Sequence, residues 1–253
     1  MNPPRITKEH LAALSASLLE TEWHVLRDVA RFRLIRGDQL TQLHLSNSSP
    51  RSARRLLASL VERRLLARLE RQVGGRRAGS AGYVYRLGPA GARLLEVSEG
   101  RRHWQPSQLF MNHTLEIAER AVRLTTSAGH LQLVRFDPEP DAWRMYQGPA
   151  GPQTLKPDGY LVLADDSVED HWFLEVDMAT ESLPAIRRKA RRYDAYLRSG
   201  REQANLGVFP RVWWWTVNER RAAALRSVLD EFDPTGLHVV CTSENALLTT
   251  EVD

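Results

Sequence analysis

The sequence predicts an α/β (α+β) chain of two domains, at about 1–104 and 105–253. Three observations carry that expectation. The first is charge: residues 1–104 hold 19 basic and 9 acidic side chains, a net of +10, whereas residues 105–253 hold 16 and 22, a net of −6. Such an asymmetry points to two domains with different partners, and the basic half to a polyanion such as DNA. The second is pattern: apolar residues recur at helical spacing in the first half, while strand-like and helical segments alternate in the second. The third is composition: 253 residues, 42% hydrophobic and 26% charged, suffice for two modest cores and exclude a disordered chain.

Thr21 to Ile35 spaces Trp23, Leu26, Val29 or Ala30, and Leu34 as one helical face. Gly37 is expected to stop that helix and Asp38 to cap the next, a short one over Asp38 to Leu45. Ser48-Ser49-Pro50 then reads as a cap followed by proline in the first helical turn. The third helix, about 50–65, lines up Ala53, Leu56, Leu57, Leu60 and Val61 as a buried stripe. Arg51, Arg54 and Arg55 stand on its other face. Leu66 to Val73 and Tyr83 to Leu87 read as two strands around a basic glycine-rich tip with Arg76 and Arg77.

Three helices followed by a hairpin make an N-terminal winged helix-turn-helix. Such a domain lays its third helix in the major groove and reaches phosphates or the minor groove with the hairpin tip. Between Ser46 and Arg77 there are nine Arg and two Glu, a local net of +7. The DNA-binding candidates are therefore Ser48, Ser49, Arg51, Arg54, Arg55, Arg76 and Arg77. A further helix starts at Pro89.

The second half opens with a helix over 107–128, the hinge between the two domains. Strand-like segments follow at about 130–136, 142–147, 159–164 and 171–176. After them come a polar helix at 184–197, the strand Arg211 to Val217 with three adjacent tryptophans, a helix at 219–232 and a last strand at 237–241. Three tryptophans in a row need cover on both faces, which predicts a buried strand.

The chemistry concentrates in Lys156-Pro157-Asp158 and Glu175-Val176-Asp177. Residues i and i+2 on a strand face one side, so Glu175 and Asp177 project together, beside Asp158 if the two strands pair. Three clustered carboxylates repel and lose solvation unless a hard cation or a basic partner sits there. Mg²⁺ or Mn²⁺ takes such oxygen ligands and can activate water for phosphodiester hydrolysis.

This arrangement resembles the PD-(D/E)XK nuclease superfamily, whose Asp and Glu bind metal and whose Lys positions the attacking water. The resemblance implies Asp158 and Glu175 as the matching acids. The lysine position is Asp177, and Lys189 on the following helix is the residue that could take the lysine's role, with Tyr193 four positions on. Glu116 matches the upstream acid by position. As a whole, the winged helix joined to KPD…FLEVDMATES…RRKARRYDAYL resembles the replication-relaxation family of bacterial plasmids and integrative elements, over roughly residues 15–245.

The same sequence excludes other classes. No apolar run approaches the roughly 20 residues that cross a bilayer. Met-Asn-Pro-Pro-Arg lacks the apolar core of a secretory signal. The single Cys241 excludes an intrachain disulfide and a cysteine-rich zinc site, and fits a cytoplasmic protein. Neither a nucleophile elbow nor a Walker-type loop occurs.

Three functional readings follow. In the first, the chain is a double-stranded-DNA-binding accessory protein of a bacterial mobile element. Its nuclease-like domain is then degenerate and serves homodimer formation or contact with a relaxase or replication protein. In the second, it is an endonuclease using Mg²⁺ or Mn²⁺, with Asp158, Glu175, Asp177 and Lys189 as catalytic residues and Glu116 as an added ligand. In the third, it is a winged-helix transcriptional regulator.

Overall fold

The computed structural model describes residues 6–69, 82–97, 106–127, 129–148, 151–233, 235–244 and 247. Arg76, Arg77 and the expected hairpin tip lie outside them. The chain is mixed α/β, as the sequence predicts, and forms two compact units, Met1–Val122 and Arg123–Asp253.

The first unit begins with α1 (Lys8–Ser17), which the sequence pattern did not single out. Then come α2 (Glu20–Phe32), β1 (Ile35–Arg36), α3 (Gly37–His44), α4 (Pro50–Glu62), the strands β2 (Leu66–Arg68) and β3 (Val84–Leu87), and α5 (Pro89–Leu94). Val25, Leu26, Val29 and Phe32 of α2 are buried, and so are Ala53, Leu57 and Leu60 of α4. The strands form an antiparallel sheet in the order β1-β3-β2, with Ile35 opposite Tyr85 and Leu66 opposite Leu87.

Two punctuation residues act differently from the sequence reading. The stop after α2 is Arg33, in the left-handed region at φ 64°. Gly37 instead opens α3, where an added Cβ would lie 3.1 Å from the Tyr85 ring. Asp38 does not cap α3: its carboxylate receives Arg36 Nε at 3.0 Å, while Gln39 Oε1 accepts the Arg36 backbone N–H at 2.9 Å. A long amide side chain one turn in takes over the capping function that a short acid was expected to supply.

α6 (Gln108–Thr126) runs across the division between the units, 18 residues beyond the expected boundary at 104/105 if that division is counted at Val122. Its first half is built into the first unit for a clear reason. Met111 and Leu115 pack on Leu34. The fully buried Gln39 amide donates to Leu115 O at 3.1 Å and to Glu119 Oε2 at 2.9 Å, and Arg36 reaches the same oxygen at 2.6 Å.

The second unit is a five-stranded sheet in the order β10-β9-β8-β7-β4, from β4 (Gln132–Pro138), β7 (Gly159–Ala164), β8 (Glu169–Asp177), β9 (Arg211–Thr216) and β10 (His238–Cys241). A separate hairpin, β5 (Arg144–Gly148) with β6 (Gly151–Leu155), replaces the single strand expected near 142–147. β4, β7 and β8 pair antiparallel, whereas β8, β9 and β10 pair parallel. Parallel neighbours need crossovers. These are α7 (Leu183–Arg198) with the short α8 (Arg201–Leu206) before β9, and α9 (Glu219–Leu229) before β10. One core joins Phe173, Tyr193, Tyr196, Trp214, Ala222 and Leu225. Trp213, Trp214 and Trp215 are all buried, as the run of tryptophans predicts.

Candidate functional site: an arginine-bearing helix and a carboxylate cluster

Each unit presents one candidate site. In the first, α4 starts as its sequence specifies. Ser49 Oγ accepts the Ser52 N–H at 3.1 Å and Pro50 occupies the first turn, so the cap satisfies a donor the helix cannot satisfy itself. This fixes the start of a helix whose apolar side is buried and whose polar side carries Arg51, Arg54 and Arg55, all exposed. Arg54 turns back to Pro50 O at 2.9 Å. Arg51 and Arg55 have no ion-pair or hydrogen-bond partner for their guanidinium groups among the described residues. Ser48 is also exposed, its N–H given to Leu45 O at 2.9 Å. At the base of the hairpin, Arg68 lies 3.9 Å over the Tyr83 ring.

In the second unit, antiparallel pairing of Gly159 with Leu174 brings the start of β7 beside the end of β8. That register sets Asp158 against Glu175, with Asp177 two residues further along β8, and all three are buried, at 7%, 2% and 5% exposure. Every carboxylate here has a partner from the protein. Asp158 Oδ2 accepts the Val176 N–H at 2.7 Å. Glu175 receives Lys189 Nζ at 2.9 Å on one oxygen and the Tyr193 hydroxyl at 2.7 Å on the other. Asp177 accepts Arg221 Nε at 2.5 Å and Nη2 at 3.3 Å, and the Ala179 N–H at 2.9 Å. Lys189 also meets Glu181 at 3.0 Å, and Arg221 donates to Glu181 O at 2.7 Å.

The electrostatics follow from burial. Desolvation pushes the Glu175 carboxyl above its usual range, with Asp158 adding to the rise and Lys189 opposing it. Burial would drive Lys189 down, but Glu175, Asp158 and Glu181 outweigh it and hold the ammonium charged. Tyr193 is raised by desolvation and by the Glu175 charge, so its hydroxyl stays a donor.

This donor set does not fit Mg²⁺ or Mn²⁺. A hard divalent cation takes about six oxygens, mostly carboxylate and water. Here Lys189 and Arg221 bring two fixed positive charges, and Asp177 is bound on both oxygens by a guanidinium and a backbone amide. Among the described residues, no three His, Cys, Asp or Glu side chains group as a metal site. Glu116 belongs to the first unit, where it pairs with Arg120 at 2.9 Å. The fold therefore sets Lys189, the residue singled out through the resemblance, on Glu175 between Asp158 and Glu181, and Arg221 on Asp177, as a self-neutralised cluster.

Arg221 is the residue the sequence reading missed. Asn218 caps α9 and accepts the Arg221 N–H at 2.9 Å, which puts Arg221 in the first turn, just past the end of β9. A cation there opposes the helix dipole. That unfavourable placement is the one local sign that it has a carboxylate partner.

No curated protein and no solved structure matches the chain, and no helix among the described residues is long and apolar enough to cross a membrane. A family model described as replication-relaxation does match, over residues 26–212, from α2 through the carboxylate cluster and α7 to the start of β9. With nearly three quarters of its length inside that match, the chain belongs to the replication-relaxation family.

Proposed function

We propose that the chain is a double-stranded-DNA-binding accessory protein in the replication or relaxation of a bacterial mobile element. In this reading the first unit is a winged helix with α4 in the major groove, and the second is a nuclease-like domain without a hydrolytic centre. The observation that carries it is α4 itself: a capped helix, buried on one side, with the Arg51 and Arg55 guanidinium groups in solvent and uncommitted among the described residues. Phosphate contacts by such arginines position a helix, and contacts to guanine edges specify sequence. Family membership supports a replication-related partner, either DNA or a protein that acts on it. The self-paired carboxylates support binding over cleavage.

The test is a duplex-binding titration over a salt series. Replacing Arg51 and Arg55 with Ala together weakens specific binding about tenfold or more and flattens the salt dependence by about one unit for each phosphate no longer neutralised. Plasmid bound by the protein stays intact with Mg²⁺ or Mn²⁺. Unchanged affinity in the double variant would sink this use of α4, and metal-dependent nicking that disappears in Asp158→Ala would restore the endonuclease reading.

A further inference from the structure

A cavity of about 330 Å³ opens in the second unit, lined by none of the residues of the carboxylate cluster. Its wall combines guanidinium groups and aromatic rings: Arg135, Arg144 and Arg201 with Trp143, Tyr160 and Tyr196. Two of the arginines are held in place by acids. Arg135 pairs with Asp137 at 2.7 Å. Arg144 donates to Glu202 Oε1 at 3.2 Å and to Ala142 O at 2.8 Å. Glu202 is 3% exposed, and its other oxygen accepts the Tyr196 hydroxyl. Both paired guanidinium groups also lie over Tyr160, at 5.3 and 4.7 Å from its centroid.

Arg201 differs from them. It is exposed, and among the described residues its guanidinium has no hydrogen bond or ion pair. One uncommitted positive charge thus faces a space bordered by an accessible indole, since Trp143 is 37% exposed, although Lys156 at 4.4 Å already covers one face of its ring. A planar guanidinium matches a phosphate oxygen pair. An exposed indole matches the face of a base. The volume is at the small end of ligand sites, right for a single nucleotide.

We infer that this cavity binds one nucleotide unit of single-stranded DNA, its phosphate on Arg201 and its base against Trp143. A free nucleoside monophosphate presents the same two groups. The site is separate from α4 and does not rest on the winged-helix reading, because it lies wholly in the second unit.

The experiment uses the full chain carrying Arg51→Ala and Arg55→Ala, so that α4 does not dominate DNA binding. Anisotropy of a labelled oligothymidine and calorimetry with thymidine monophosphate are each read with and without Arg201→Glu and, separately, Trp143→Ala. Both positions are exposed, so neither change threatens folding. Stacking and charge-assisted phosphate contacts predict that each variant weakens oligothymidine binding about fivefold or more. An effect of the variants on monophosphate binding alone would assign the cavity to a free nucleotide and uphold its chemistry. Oligothymidine and monophosphate binding that are both unmoved by both variants overturn the proposal.

Discussion

On α4, Arg51 and Arg55 stand in solvent with no acid paired to them among the described residues, whereas in the second unit Lys189 and Arg221 are committed to Glu175 and Asp177 at 2.9 and 2.5 Å. Both regions are rich in charge, and both would count equally in a net total. They differ in desolvation. A charge left in water costs nothing to present and is free to meet a phosphate. A charge taken out of water must be matched on the spot, so a buried cluster is completed by its own chain. The number of carboxylates or arginines in a motif therefore says little about ligand binding until the partner of each is known.

The sharpest way to break this contrast is to remove one internal cation. Lys189→Met leaves Glu175 buried opposite Asp158 without its ammonium. It should destabilise the protein by about 3–5 kcal/mol in urea denaturation, the usual cost of orphaning a buried ion. A change below about 1 kcal/mol would mean that Glu175 takes up a proton once its ammonium is gone, and that the ion pair is not what holds the cluster.

Acid probes burial in the second unit by another route. His238 is buried, and desolvation lowers its pKa to about 4, against the pull of Asp233 and Asp194. Trp214 Nε1 donates to its Nδ1 at 3.1 Å, so the ring is held neutral. Because the folded-state value lies below the ordinary 6.5, the stabilisation is complete above pH 6.5 and is lost as pH falls from there toward 4. The whole window amounts to roughly 3 kcal/mol. Because the raised Glu175 carboxyl stabilises the fold in the opposite direction over the same window, the His238 share is read as a difference: the change in urea stability from pH 7 to pH 4.5 should be less unfavourable by most of that amount in His238→Gln than in the unaltered chain.

The smallest effect tests the exposed side of the comparison. Ser49→Ala deletes the cap that sets the start of α4 and should cost about 1 kcal/mol by thermal denaturation. Duplex affinity should fall with it, since Arg51 and Arg55 sit in the first two turns. Equal stability with unchanged affinity would show that packing of Ala53, Leu57 and Leu60 alone holds the helix start.

What proved legible in the sequence was local or periodic. Ser49-Pro50 announced the start of α4 because a cap and its helix are three residues apart. The tryptophan run announced a covered strand, and the i, i+2 spacing of Glu175 and Asp177 put them on one side of β8. Lys189 and Tyr193 were legible as neighbours of the cluster only through the family resemblance, since their spacing of one helical turn says no more than that they share a helix face. Asp38 and Gly37 misled for a physical reason: each has the chemistry of helix punctuation, but Gln39 and Arg33 had better geometry for it.

The sequence by itself determined the α/β class, the arginine-bearing third helix, the placement of Glu175 and Asp177 on one side of a strand, and the family resemblance. Each rests on near neighbours or on a short strand pairing. Only the tertiary structure decided that Arg221, 44 residues from Asp177, closes the cluster, that Gln39 binds α6 into the first unit across 76 residues, and that Arg201 comes to border a cavity with Trp143. Contacts at such separations depend on sheet order and helix crossovers, which no local pattern records.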